Sequence, residues 1–243
     1  MRDFSLDGSH RRGELRKAAD CAALEINSSA KPSPWFGDSR RLVFLGHLTG
    51  TARTSGVLAL AAIDGGDAVE IGAVARIHDI AISPSGDWIA FDQQLGVSAF
   101  EMRLLRLRDN TVFCIGRGGA PAWSPDGRRL SFGSSNPRRR RTGMLAIVTV
   151  RDRPSNPRWL RRVRGGGLAT WSPSGRQITY VGFDCRVLTA RCENLPQVYV
   201  VGEKSGRPRR VTAENDWGVI SFWRLWWGPT DSTLFFTRSR SGV

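Results

Sequence analysis

Three histidines, His10, His47 and His78, are the first side chains to consider for acid–base or metal chemistry. No two of them have the spacing typical of zinc ligands, and the sequence contains no G-x-S-x-G segment for a nucleophilic serine. His78 is followed directly by Asp79, so this pair is the candidate for proton transfer. A histidine hydrogen-bonded at the end of a strand is the more common explanation. The sequence therefore predicts no metal site and no cofactor.

Arginine is the second residue type whose side chain could have a functional role. The formal net charge is +14, and all but three of the 36 lysine and arginine residues are arginine. The densest run is Arg138, Arg139, Arg140 and Arg141. Guanidinium groups attract carboxylates and phosphates, so the run predicts an acidic protein or an anionic polymer as partner, with nucleic acid less favoured. The alternative is a compositional arginine bias spread over solvated strands.

Aromatic residues cluster in "NDWGVISFWRLWWGP" at residues 215–229. Trp217 and Trp223 lie near Arg224 and predict a stacking platform for a sugar, a peptide or a base. The competing explanation is that these rings cap the core between two sheets.

The elements that position these residues are indicated by a repeated turn. The segment "PAWSPDGRRLSFGSS" at 121–135 has Ser-Pro-Asp-Gly, which is typical of a type I turn, followed by an alternating apolar strand. Related segments begin at residues 35, 82, 171 and 227. The spacing is close to the roughly 40–50 residues of one four-stranded propeller blade. The predicted turns lie at 35–44, 82–91, 123–132, 171–180 and 227–236.

A second half-repeat lies between these turns, at residues 56–74, 96–116, 143–163 and 197–216. Each segment predicts the two outer strands of a blade. The fold class is therefore an all-β propeller of four-stranded antiparallel blades, forming a single domain over residues 1–243. Five blades are expected, closed by N-terminal residues 3–18 pairing with the C-terminal strands at 226–237. The alternative is a piece of a longer propeller.

Blade geometry predicts which arginines share a face. Loops that join the second to the third strand lie at the same end as the connections between blades, so their arginines would form one positive face. Arg151, Arg153, Arg207 and Arg209 would lie near the opposite turns. The expected face contains Arg53, Arg117, Arg138 to Arg141, Arg164, Arg186, Arg191, Arg224, Arg238 and Arg240.

The Trp-Ser-Pro-Asp-Gly turn followed by an apolar strand resembles the repeat of TolB-like propellers. The same repeat builds the propeller of prolyl-oligopeptidase-type peptidases. The resemblance implies the fold strongly and the function weakly, because propellers include both binding modules and enzymes. It implies a bacterial protein, and TolB itself works in the periplasm with a lipoprotein partner.

The cysteines and the N-terminus give conflicting indications of location. The first twenty residues have no apolar segment typical of a signal peptide, which predicts a cytoplasmic protein. Cys185 and Cys192 flank a hairpin loop at a spacing that a disulfide can close, which would indicate the periplasm or the cell surface. Cys114 is expected to be a small buried apolar residue, and Cys21 has no evident partner.

The sequence thus predicts a non-enzymatic binding or scaffold protein, monomeric and without a membrane span. Recognition would use Arg117, Arg138 to Arg141, Arg164, Trp217, Trp223 and Arg224. The alternative is a propeller hydrolase or lyase that acts on a glycan or another anionic polymer, with His78 and Asp79 as acid and base.

Overall fold

The computed structural model describes residues 16–17, 40–47, 56–62, 69–73, 77–96, 99–135, 143–160, 162–163, 165–183, 196–204, 207–212 and 220–240. Every regular element in these residues is a β-strand. They include no helix with the length and apolar character needed to cross a membrane. The chain divides into two compact units, Met1–Gly119 and Ala120–Val243.

The first unit contains two antiparallel sheets. The first blade consists of β2 (Arg41–His47), β3 (Gly56–Ala62) and β4 (Val69–Ala73). The second blade consists of β5 (Ile77–Ile82), β6 (Trp88–Gly96), β7 (Ala99–Arg106) and β8 (Thr111–Arg117). A short strand, β1 (Arg16–Lys17), lies beside β8.

The second unit contains the third, fourth and fifth blades. The third is formed by β9 (Gly119–Trp123), β10 (Arg129–Ser135), β11 (Gly143–Thr149) and β12 (Arg158–Trp159). The fourth is formed by β13 (Gly165–Trp171), β14 (Gln177–Phe183), β15 (Pro196–Gly202) and β16 (Arg209–Arg210). The fifth contains β17 (Ile220–Trp227) and β18 (Leu234–Arg240).

Within each sheet, chain neighbours are also hydrogen-bonded neighbours. This up-and-down order over successive four-stranded sheets is the arrangement of propeller blades, so the predicted all-β propeller class is confirmed. Strands lie where the sequence places the inner and outer pairs, within a few residues. The blade count of five and the single-domain boundary remain predictions.

The N-terminal strand has a different position from the expected one. Arg16 lies beside Thr111 and Lys17 beside Val112, in parallel, at the outer edge of the second blade. The prediction that residues 3–18 pair with the C-terminal strands is therefore wrong for residues 16 and 17. An outer strand leaves a row of backbone N–H and C=O groups unpaired. In the second blade, β1 pairs with some of these groups of β8. Residues 3–15 lie outside the described residues.

The repeated turn has the same hydrogen bonds in three blades. A glycine N–H donates to the carbonyl of the serine three residues earlier, and the serine Oγ accepts the N–H of the residue five positions later. Each glycine has a φ between +66° and +76°, which a residue with a side chain rarely adopts. The serine–glycine pairs are Ser83 and Gly86, Ser124 and Gly127, and Ser172 and Gly175.

Within each unit, the described cores lie between successive sheets. Alternation turns every second side chain of a strand towards one neighbouring blade. Val43 and Leu58 of the first blade pack with Ile89, Phe91 and Leu105 of the second. In the second unit, Leu145, Ile147 and Leu160 pack with Trp171, Ile178 and Tyr180, and burial raises the pKa of the Tyr180 hydroxyl.

The tryptophans that precede the turns link blades through their indole nitrogens. Nε1 of Trp171 donates to the carbonyl of Ala122, 3.0 Å away, and Nε1 of Trp227 donates to the carbonyl of Thr170, 3.4 Å away. Each acceptor comes directly before the residue of the preceding blade that is equivalent to the donor tryptophan. The guanidinium of Arg129 also lies 4.9 Å from the centre of the Trp171 ring. These contacts fix the third, fourth and fifth blades against one another.

Cys114 differs from its predicted role. It is half-buried and forms a disulfide whose partner lies outside the described residues. Its Sγ lies 3.7 Å from Oε2 of Glu101, which is a polar setting and not the apolar one expected. Cys185 and Cys192, the predicted bridge, are both outside the described residues.

We expect Cys21 to be the partner of Cys114. Lys17 and Val112 are neighbours in the parallel pairing, Cys21 follows Lys17 by four residues, and Cys114 follows Val112 by two. Disulfides need a Cα separation of 4.4–6.8 Å, and both cysteines follow this paired position within a few residues of sequence. Peptide mapping of unreduced protein should find a Cys21–Cys114 cross-link that disappears on reduction. A link from Cys114 to Cys185 or Cys192 would contradict this expectation.

Candidate functional site

Each blade has two distinct ends. In the second blade β5 and β7 begin, and β6 and β8 end, at the same edge, which we call the loop end. The opposite edge, with the turn from the first to the second strand and the turn from the third to the fourth, is the turn end. The predicted site residues are those that the sequence assigns to the loop end.

The first strand of a blade is irregular close to its loop end. Register shifts occur between Ile77 and Ile80 in β5 and between Phe222 and Arg224 in β17. The pairing of β13 is also interrupted, and Ala120 and Leu168 have positive φ values of 57° and 49°. An irregularity of this kind redirects side chains at the rim of a sheet.

These irregularities fall at equivalent places in the repeat. In each of these blades the irregularity lies at the two residues that are four and three positions before the last residue of the first strand. That last residue directly precedes the turn. Those positions are His78 and Asp79, Gly119 and Ala120, Gly167 and Leu168, and Trp223 and Arg224. Two of the predicted functional pairs, one basic-acidic and one aromatic-basic, therefore stand at the same repeat position.

Asp79 lies beside a second carboxylate that the sequence analysis did not single out. Because the register shifts here, the backbone N–H of Asp79 donates to Oδ1 of Asp92, 2.7 Å away. Asp92 is only 2% exposed. A Cβ atom at Gly119 would collide with its Oδ2, so glycine at this position allows the connection to the third blade to pass. Asp92 thus fixes the backbone around Asp79.

Repeat alignment contains a signal that could have identified Asp92. The position after the strand aromatic is occupied by Leu45, Gly133, Val181 and Thr237 in the other copies. Asp92 is the single charged residue among the five copies at this position. A buried carboxylate needs hydrogen-bond donors, so its departure from the pattern predicts a specific partner.

A buried ion pair lies on the face of the second blade that packs against the first. Arg103 is fully buried, and its Nε and Nη2 lie 2.9 Å and 2.6 Å from Oε2 of Glu101. Its Nη1 has no hydrogen-bond partner among the described residues. Arg103 is flanked by Phe91 and Cys114 on the adjacent strands. The sequence did not predict this pair because glutamate and arginine are rarely buried within a strand.

Arg117 is exposed at the loop end of β8, beside Glu101 on β7. It shares this end of the second blade with Asp79. His78 belongs to β5, and Trp223 and Arg224 belong to β17, but their side chains are outside the described residues. The remaining predicted site residues also lie outside them: Arg138, Arg139, Arg140, Arg141, Arg164, Trp217, Cys185 and Cys192.

The two strands on either side of the arginine run are paired up to the ends of the loop that contains it. Residues of β10 and β11 pair continuously from Arg129 with Thr149 to Ser135 with Gly143. Residues 136–142 therefore connect two hydrogen-bonded strand ends, at the loop end of the third blade. The sequence of this connection has four arginines and no carboxylate.

The carboxylates at the turn end have internal partners. Hydrogen bonds from Ser174, through its hydroxyl and its backbone N–H, hold the pKa of Asp231 below its usual range. Burial acts to raise the pKa of Asp126, but hydrogen bonds from Ser124 and the Arg128 backbone make the net shift downward. In the second blade, the Arg106 guanidinium lowers the pKa of Asp109 to about 2.

The part of the chain that the structure describes brings together no group of three histidine, cysteine or carboxylate side chains able to hold a metal ion. Two polar pairs lie in the second blade, Asp79 with Asp92 and Glu101 with Arg103. These pairs join atoms within one blade, and each has an evident role in fixing backbone or neutralising buried charge.

No protein-family model and no curated protein matches the sequence. Among solved structures, a putative TolB from Agrobacterium tumefaciens is 17% identical, with a TM-score of 0.60; the match covers 87% of this chain and 70% of that one. TolB from Acinetobacter baumannii is 15% identical, with a TM-score of 0.53 and coverage of 78% and 45%. An oligogalacturonate lyase from Vibrio parahaemolyticus is 16% identical, with a TM-score of 0.54 and coverage of 71% and 50%. The fold is therefore a TolB-like β-propeller, shared by proteins of different function.

Proposed function

We propose that this chain is a non-enzymatic binding or scaffold protein that recognises an acidic protein or an anionic polymer through arginine-rich loops. The observation that carries the proposal is the pairing of Ser135 with Gly143. It confines Arg138 to Arg141 to a connection between two fixed strand ends. Four like charges held together attract a polyanion more strongly than the same charges spread over a surface.

In the second unit, Arg164, between β12 and β13 in the sequence, and Arg224 of β17 would extend this contact. In the first unit, Arg117 is exposed at the loop end of β8 and would bind the partner separately. Trp217 and Trp223 would add stacking or apolar contacts beside Arg224. In this mechanism the sheets provide a rigid support, the arginines attract the partner, and the aromatic residues make close contacts.

Replacing Arg138, Arg139, Arg140 and Arg141 with serine is expected to weaken polyanion binding and leave the fold intact. Counterion release makes the effect visible as a flatter dependence of affinity on salt. The measurement is the NaCl concentration that elutes each variant from a heparin column and from a polyglutamate column. Asn136→Ser with Thr142→Ser changes the same loop without changing its charge and serves as the control. Equal elution of the arginine variant and the wild type from both columns would refute the proposed role of the run.

The second candidate function is an enzyme that acts on a glycan or another anionic polymer. It is favoured by the contact between Asp79 and Asp92 beside His78, and by an oligogalacturonate lyase among the similar folds. The test is incubation with oligogalacturonate and with heparin oligosaccharides, followed by chromatography of the products. Turnover that is lost in His78→Ala and Asp79→Asn would favour the enzyme over the binding protein.

The proposed location is an oxidising compartment, such as the periplasm or the cell surface. The disulfide of Cys114 supports it, since reducing cytosol keeps most thiols free. The resemblance to TolB supports the same compartment. Fractionation of cells that express the chain, with alkylation of free thiols before lysis, would find Cys114 unmodified if this location is correct.

A further inference from the structure

A second group of arginines lies at the turn ends of the third and fourth blades. Arg128 of this group and the run at 138–141 lie at opposite ends of β10. Arg128 directly precedes this strand, and the run follows it. The group is exposed, and its side chains form no ion pair with any other described residue. We call it the turn-end arginine surface; it consists of Arg128, Arg151, Arg153, Arg207 and Arg209.

Backbone hydrogen bonds hold the two turns of a blade side by side. In the third blade the N–H of Val150 donates to the carbonyl of Arg128, 2.8 Å away, which places Arg151 next to the first turn. In the fourth blade the N–H of Glu203 donates to the carbonyl of Arg176, 3.0 Å away. Arg128 and Arg151 of the third blade therefore lie on neighbouring turns, whereas Arg207 and Arg209 of the fourth blade lie just before and at β16.

Glu203 connects the turn ends of these two blades. Its Oε1 lies 2.9 Å from Nη2 of Arg158, and its Oε2 lies 3.4 Å from Nη1 of Arg129, both in the third blade. Asp126 pairs with Arg129 at 3.0 Å, and Asp231 accepts hydrogen bonds from Ser174. These carboxylates stabilise the junctions between blades and leave the surface arginines without a counter-charge from them.

We propose that the turn-end arginine surface docks an acidic segment of a partner polypeptide. Planar guanidinium groups bind carboxylates in a bidentate way, and here five exposed ones lie at the turn ends of two blades. Single-stranded nucleic acid is less suited, because it needs exposed aromatic rings for stacking. The exposed aromatic residues in the described part of the chain are Trp226 and Phe235.

Those two rings belong to a different surface. Leu225 and Leu234 of the fifth blade pack against Val181 of the fourth. Trp226 and Phe235 alternate with them and stack on each other, 6.0 Å apart, on the face turned away from the fourth blade. The turn-end arginine surface therefore offers charge and hydrogen-bond donors without a stacking partner, which suits carboxylate side chains.

The test uses labelled hexaglutamate and a chain whose run at 138–141 is already replaced by serine. This background removes the contribution of the run, so the inference and the proposed role of the run fail separately. The full chain with the run replaced is expected to retain hexaglutamate binding, measured by fluorescence anisotropy. Adding serine at Arg128, Arg151, Arg153, Arg207 and Arg209 should then weaken binding at least tenfold, with a melting temperature unchanged within about 2 °C because these side chains are exposed.

Unchanged affinity after the five further substitutions would overturn the inference and leave the proposed function standing. Loss of binding only with these five, and not with the run, would support the inference and refute the role of the run. A single-stranded dodecanucleotide provides the other class of ligand. If it binds the run-replaced chain more tightly than hexaglutamate does at the same salt concentration, the assignment to an acidic polypeptide is wrong.

Discussion

Replacing Glu101 with leucine is expected to lower the free energy of unfolding by about 3–5 kcal/mol. The reason is that Arg103 is fully buried and Glu101 provides its counter-charge. Arginine does not lose its proton in proteins, so the variant must either bury an uncompensated charge or open the packing between the first and second blades. Urea unfolding followed by circular dichroism measures the difference directly.

The matched control is the double variant Glu101→Leu with Arg103→Met. It removes both charges and replaces them with apolar groups, which commonly leaves stability unchanged or raises it by about 1–4 kcal/mol. The double variant should therefore be more stable than the single one. A single variant that costs less than about 1 kcal/mol would mean that Arg103 finds another partner or reaches water.

Gly133→Ala is expected to destabilise the second unit by about 3 kcal/mol, at the upper end of the cost of overpacking. A Cβ atom at this position would lie 2.6 Å from the carbonyl oxygen of Gly166 and 3.0 Å from its carbonyl carbon. Both are backbone atoms, so they cannot move aside without shifting the strand. Thermal unfolding should show a melting temperature lower by about 6–12 °C.

Gly167→Ala is the control for this prediction. Gly167 is exposed and has no atom within 4 Å of an added Cβ. It directly follows Gly166, the residue that Gly133 approaches. Its replacement should change stability by less than about 0.5 kcal/mol. If Gly133→Ala and Gly167→Ala behave alike, the close approach between the third and fourth blades is not maintained in solution.

Much of the fold could be predicted because its signals are local. The turn at residues 124–129 is specified by its own residues: Ser124 accepts the N–H of Arg129, and Gly127 adopts the positive φ that the turn requires. Alternation then assigns Leu130 and Phe132 to a buried face. These residues all lie within eight positions of one another. One short segment therefore contains the information that specifies the turn and the strand after it.

The candidate site was predictable only in part. The equivalence of His78 and Asp79 with Trp223 and Arg224 is contained in the repeat, but the contact of Asp79 with Asp92 depends on a register shift in β5. Periodicity gives the face of a residue and does not give the position of a bulge. Repeat alignment marks Asp92 as an unusual acidic residue, but its contact with Asp79 could not be predicted from the sequence.

The sequence by itself determined the repeated strand–turn–strand unit, the all-β class and the confinement of four arginines to one connection. The tertiary structure alone decided that β1 lies beside β8, that Arg103 is buried against Glu101, and that Trp171 donates to Ala122, 49 residues away. The physical reason is the range of the interactions. Turn and strand preferences act over a few residues, whereas contacts between blades depend on how two sheets are placed, which no single segment encodes.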